Sequence, residues 1–241
     1  MEGARVLEKF SESGTGGYPV NIGIEETKSY DLSVEFASKY WDIYAPYGTV
    51  NTLRQMDHGI LIENLLRGNI DWGITLRKPK RKGLHSAVIG HYDIAYCCSN
   101  KLFRKFKRID DLLINIPFAE SSWDKSLNHA VYQHLRENGI SPKEKIYSDH
   151  PDFIKNLCQR GRCNTYIVRH PRLKYKGFKV FEIDAPLKIS LYAVWKKKDE
   201  VLVSIKKLLE LISSSLSNLP ERYEDIELQI DASNISDELL K

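Results

Sequence analysis

The stretch "LLRGNIDWGIT", residues 65–75, decides how this chain folds, because it sets a helix end directly against the start of a strand. Leu61, Ile62, Leu65 and Leu66 recur at helical spacing, and Arg67-Gly68 supplies the basic last turn and terminal glycine of a helix stop. The run from Ile70 to Leu76, with Trp72, Ile74 and Thr75 as strand formers, is too short and apolar for a surface helix, which predicts a strand covered on both faces. A helix that hands over to a buried strand so quickly winds a parallel sheet. Asp71, just inside that strand, is expected to act structurally, its carboxylate taking backbone N–H groups.

Outward from this stretch the same alternation repeats. "VNIGI" (20–24) reads as a strand, 30–48 as a helix with Leu32, Val34, Phe36, Ala37, Tyr40, Trp41 and Tyr44 on its apolar side, "TVNTLRQM" (49–56) as a strand and "HGILIENLLRG" (58–68) as a helix. Ser29 or Asp31 can cap the first of these helices. Strand, helix, strand, helix, strand means a doubly wound α/β unit with right-handed crossovers. After the basic loop "RKPKRKG" (77–83), "LHSAVIGHYDIAYCCS" (84–99) is strand-like and unusually long, as suits a strand that leaves one domain for another, with a hinge near His91 to Ala95. A second α/β unit follows: "IDDLL" a short helix, "NIPFAE" a strand, 124–139 a helix, 143–149 a strand, 150–161 a helix and 164–170 a strand. Strand alternation then runs through 178–198, and 200–216 is an amphipathic helix with Val201, Ile205, Leu208, Leu209 and Ile212 inward.

The predicted organisation is therefore a short helix and linker at 1–19, a discontinuous first subdomain of 20–92 with 190–219, a second subdomain of 93–189, and an acidic tail at 220–241. The tail is expected to be a frayed extension. The loop 77–83 has no interleaved aromatics, so a solvated connection is favoured over a phosphate-binding patch.

Composition limits the function classes. At 241 residues with 42% hydrophobic content the chain can fill a core, and 36 basic against 32 acidic residues leave only +4, too little for a surface built throughout for nucleic acid. No apolar run approaches the roughly 18–20 residues of a membrane span, and the N-terminus lacks the apolar core of a signal peptide. A cytoplasmic protein without membrane contact is expected. Cys97-Cys98 and the pair Cys158 and Cys163 make no recognised zinc spacing, so buried thiols are expected, with no disulfide, no metal and no cofactor. There is no phosphate-binding glycine loop, no G-x-S-x-G elbow and no metal-histidine pair, hence no catalytic residues are assigned.

The order and spacing of several phrases resemble the effector-binding domain of LysR-type transcriptional regulators over about residues 20 to 213. They are "LLRGNIDWGIT", "KGLHSAVIGHYDIAYCCSNKL", "IDDLLINIPF", "LRENGISPKEKIYSD" and "LYAVWKKKDEVLVSIKKLLELI". The resemblance implies a fold like type 2 periplasmic binding proteins: two Rossmann-like α/β subdomains joined by two crossover strands, a small-molecule effector in the cleft, and a homodimer or higher homo-oligomer. It also implies DNA contact only through an N-terminal winged helix-turn-helix; "MEGARVLEKF" looks like the last turns of the linker helix that follows one. On this reading the chain is a fragment, a truncated product or a natural stand-alone sensor. One local departure is "CQRGRCNTYIVRHP", with Arg162 and Cys163 where the family carries small residues.

In open α/β sheets ligands bind beyond the carboxyl ends of strands, where helix N-termini present free N–H groups. Four loops qualify, beginning with Glu25 and Glu26, with Met56, with Glu120 and with Ser148. Ligand contacts are expected from Thr27, Lys28, Ser29, Met56, Asp57, His58, Ser121, Ser122, Trp123 and Asp149. Their hydroxyls can hold a carboxylate or phosphate as they would cap a helix, and capping is the plainer role for each, including Asp57-His58 and Asp149-His150. Two rival functions stand beside the regulator: a stand-alone solute-binding protein without DNA-binding function, and an enzyme on the same two-lobed fold.

Overall fold

A computed structural model describes residues 18–26, 30–106, 108–122, 124–142, 144–169, 177–183 and 186–216. The predicted N-terminal helix and the acidic tail lie outside them. In chain order the elements are β1 (Val20–Glu25), α1 (Tyr30–Tyr44), β2 (Val50–Gln55), α2 (His58–Arg67), β3 (Trp72–Thr75), β4 (Leu84–Ser99), α3 (Asn100–Lys105) and α4 (Ile109–Asn115). There follow β5 (Phe118–Ser121), α5 (Lys125–Glu137), β6 (Lys145–Ser148), α6 (Pro151–Gln159), β7 (Asn164–Val168), β8 (Phe178–Phe181), β9 (Lys188–Lys196), a 3-10 turn (Lys197–Val201) and α7 (Val203–Leu216). The described residues of Met1–Asp93, Val168–Arg172 and Lys188–Glu224 form one compact unit, and those of Ile94–Ile167 and Leu173–Leu187 a second.

In the first unit the strand order is β2-β1-β3-β9-β4. β1 runs parallel to β2 and β3, with Val20 opposite Val50 and Ile22 opposite Trp72, while β9 is antiparallel to both β3 and β4. The stretch 65–75 shows why. Gly68 takes φ +78°, a left-handed conformation that favours glycine, and its N–H closes α2 onto the carbonyls of Asn64 and Leu65. Asp71 then joins the entering strand to its neighbour: its N–H donates to the Asn21 carbonyl at 2.8 Å, and its carboxylate accepts the Asn21 N–H at 2.7 Å. This exchange occupies Asp71, so β3 begins at Trp72 and not at Ile70 as the sequence predicts. At Gly73 a Cβ would lie 2.8 Å from Leu61 Cδ2, so a larger residue there would have to push the Leu61 side chain aside where α2 packs on β3. Trp72 is fully buried, edge-on to Tyr40 at 4.9 Å between ring centroids. The Tyr40 hydroxyl donates to the Ser204 carbonyl at 3.0 Å and ties α1 to α7.

In the second unit the order is β8-β4-β7-β5-β6. β5 is parallel to β6 and β7, and the end of β4 is antiparallel to β8, with Tyr96 opposite Phe181. Phe118, Tyr96 and Tyr166 fill one side of its core, and Cys97, Cys158 and Cys163 pack with Ala119 and Ile154 on another. All four cysteines are buried free thiols. Burial lifts the Cys98 thiol to about 11 and the Cys158 thiol is raised by hydrogen bonds with Cys163 and Cys97, which keeps them protonated and unreactive.

Further local expectations need correction. Val201, read as an inward residue of the last helix, is 74% exposed in the 3-10 turn, and α7 begins only at Val203. Helix α3 was not anticipated, although Ser99 is a regular cap whose Oγ accepts the Leu102 N–H at 3.2 Å. The "NIPFAE" strand starts later, at Phe118, because α4 extends through Asn115. The alternation across 178–198 is two strands with different partners: β8 pairs with β4 in the second unit, whereas β9 pairs with β3 and β4 in the first.

Candidate functional site

At the carboxyl ends of β1 and β3 in the first unit, a chain of hydrogen bonds leads from the core outward. Glu25, 5% exposed, accepts from Thr75 Oγ1 at 2.5 Å and from the Leu76 N–H at 3.1 Å on the same carboxylate oxygen. Thr75 Oγ1 in turn accepts the Arg77 N–H at 3.2 Å and meets His58 Nδ1 at 2.8 Å. Burial pushes the Glu25 carboxyl above the usual carboxylate range, against the downward pull of those two bonds and of the Arg77 charge. Burial, helped by Arg77, brings His58 down to about 4, so the ring is neutral near pH 7. Asp57 beside it is used as a cap: its carboxylate accepts the Ile60 N–H at 2.9 Å and starts α2. Behind the cap, Asn64 Nδ2 donates to buried Gln55 at 2.6 Å, and Glu26 pairs with Arg54.

In the second unit the strand ends are tied to backbone instead. Asn128 on α5 donates to the Ser121 carbonyl at 2.7 Å and accepts the Tyr166 hydroxyl at 2.6 Å. Thr165 Oγ1 donates to the Ala119 carbonyl at 2.6 Å, and the Ser122 N–H to the Ser148 carbonyl at 3.0 Å. Glu120 and Asp124 are buried close by. Burial first, then the charges of Asp124 and Glu120, push the Tyr166 hydroxyl far up, so it stays a donor at every physiological pH.

Of the residues predicted to contact a ligand, the structure brings Met56, Asp57 and His58 together at the N-terminus of α2, with Met56 38% exposed. Ser121 ends β5 half-buried, and Ser122 follows it exposed. Asp149 is exposed and does not cap α6: it lies 3.4 Å from His150 Nε2, and Ser148 Oγ accepts the His150 N–H at 3.1 Å. The capping expectation for Asp149-His150 is therefore corrected, since Pro151 opens α6 and His150 makes no side-chain cap bond. Thr27, Lys28, Ser29 and Trp123 lie outside the described residues. Sequence reasoning missed Thr75, Asn128 and Tyr166. Thr75 was counted only as a strand former, and Asn128 and Tyr166 carry no local signature, being 38 residues apart in the chain. Among the described residues, no group of His, Cys, Asp or Glu could hold a metal ion, and no helix is long and apolar enough to cross a membrane.

Two α/β units, each offering loops at the carboxyl ends of parallel strands, define a binding domain of the α/β class. The chain belongs to the LysR substrate binding domain family, whose sequence pattern matches residues 51–217. Its fold is that of solved LysR effector-binding domains. Full-length CbnR complexed with its target DNA is 14% identical, with a TM-score of 0.70 over 89% of this chain and 79% of that one. The BenM effector-binding domain with its effector benzoate is 14% identical, with a TM-score of 0.67 over 86% and 97%. The regulatory domain of MetR, a LysR family regulator from N. meningitidis, is 17% identical, with a TM-score of 0.61 over 84% and 96%. No curated protein matches the chain. The family and these neighbours are transcriptional regulators, not enzymes.

Proposed function

We propose that this chain is the effector-sensing domain of a LysR-type transcriptional regulator, that it takes up a small anionic molecule at its strand-end loops, and that it works as a homodimer. The observation that carries this reading is the N-terminus of α2, where backbone N–H groups, a neutral imidazole and the exposed side chain of Met56 meet at the carboxyl ends of the strands. The Asp57 carboxylate takes the Ile60 N–H, and the His58 and Gly59 N–H groups ahead of it suit a carboxylate approached from the loop side. The reading agrees with a benzoate-bound BenM domain and a DNA-bound CbnR among the structural relatives. Binding stabilises one conformation of the domain over another, and the shift is read out on DNA by a separate DNA-binding domain.

Native mass spectrometry of the freshly purified chain tests this. The expected spectrum is a dimer carrying a co-purified small acid, with the same acid raising the melting temperature when added back. A monomer whose melting temperature is unmoved by a broad panel of small carboxylates would sink the proposal.

A further inference from the structure

The relay in the first unit fixes which hydrogen His58 carries. Thr75 has a single hydroxyl hydrogen, and an ionised Glu25 takes it on Oε2, the oxygen that also accepts the Leu76 N–H. The Thr75 oxygen already accepts the Arg77 N–H, so toward His58 it can only accept again. His58 Nδ1 therefore bears the hydrogen. In a neutral imidazole the second nitrogen is then a bare acceptor. Glu25 and Thr75 are 5% and 1% exposed, while His58 is only partly buried, so the relay starts in the core and ends at the surface in a lone pair. Arg77 and Asp57 are the charged groups that face it, and the Asp57 carboxylate is engaged on Ile60.

We infer that His58 Nε2 reads a hydrogen-bond donor on the effector, so that the ligand is a small hydroxy acid or amino acid and not a plain carboxylate. The inference rests on the small-acid reading above and adds to it. The carboxylate end meets N–H groups at α2, and the hydroxyl or ammonium end meets the imidazole. An effector without that donor leaves Nε2 desolvated and unpaired, which costs about five- to a hundredfold in affinity. Thr75 and Glu25 are positioning residues that hold the tautomer and touch no ligand.

Two measurements on the full chain test this. Long-range nitrogen–proton NMR of the unliganded protein at pH 7 should show His58 as the Nδ1–H tautomer. An Nε2–H tautomer, which a protonated Glu25 would enforce by reversing the relay, overturns the inference. Calorimetry with matched acids, succinate against malate and aspartate, propionate against lactate and alanine, benzoate against its hydroxy derivatives, should show the donor-bearing member binding more tightly. In His58→Phe that ratio should fall toward one, and His58→Gln, whose amide oxygen is an acceptor, should restore part of it. Equal binding within every pair sinks this inference alone. Binding by none of the acids sinks the small-acid reading and this inference with it.

Discussion

The strand ends of the two units are built from the same kind of sequence, a strand followed by acids and hydroxyls and then a helix, yet they use those groups differently. In the first unit the buried acid Glu25 holds a hydroxyl, and the hydroxyl holds a titratable ring that reaches the surface. In the second, an amide and a hydroxyl on Asn128 and Thr165 clasp backbone carbonyls, and the buried acids Glu120 and Asp124 lie beside phenols that do not ionise. One set of loops ends in an adjustable proton, the other in fixed donors. Loop composition alone therefore does not say which strand ends finish in a titratable ring and which clasp backbone carbonyls.

Breaking the clasp should have the largest effect. Asn128→Leu removes an acceptor from the Tyr166 hydroxyl and a donor from the Ser121 carbonyl in a buried setting, and two such losses cost about 2–4 kcal/mol. Urea denaturation measures it. A loss below about 1 kcal/mol would mean that water replaces the amide and that the second unit is as adaptable as the first. Next comes the packing under the relay. Gly73→Val drives a branched side chain into Leu61, and overpacking of this kind costs about 1–3 kcal/mol, read in the same way. An unchanged midpoint would show that α2 can move off β3.

Thr75→Val sharpens the contrast further. The change keeps the shape, removes the hydroxyl between Glu25 and His58, and should cost about 1–2 kcal/mol while freeing His58 to populate both tautomers. If the NMR signature of the ring stayed fixed in the variant, something other than Thr75 would set it.

Much of the architecture was legible because it depends on local rules. Gly68 after Arg67 ends α2, the apolar run after it is buried in β3, and Asp71 takes a backbone N–H as a carboxylate at a strand entry should. What was not legible depends on contacts distant in sequence. Glu25 and Thr75 are 50 residues apart, and nothing local tells that their strands lie side by side with both side chains turned inward. The break between β8 and β9 was hidden for a different reason: both halves have strand character, and only pairing with separate partners divides them. Asp149 failed as a cap because Pro151 already occupies the first helical position, which moves the cap to His150.

The smallest effect is the one most specific to the relay. His58 titrates near 4 when folded, against about 6.5 in an unfolded chain, so between those values the unfolded state binds the extra proton and acid weakens the fold. The stabilisation is complete above about pH 6.5 and is lost as the pH falls toward 4. Glu25 acts in the opposite sense, since its raised value makes the folded state hold a proton more readily than the unfolded one. The two can be separated, because the groups that shift Glu25 are its burial, Thr75, Leu76, Arg77 and Asp57, all retained in His58→Phe. Subtracting the variant's melting temperature from that of the natural chain at each pH therefore leaves the His58 contribution. The ring keeps partial contact with water, so the difference should fall by only about 2 °C between pH 7 and pH 5. Parallel melting curves across that range would mean that the imidazole is solvated in the folded chain, and the first unit's strand ends would then be no more responsive to protons than the second's.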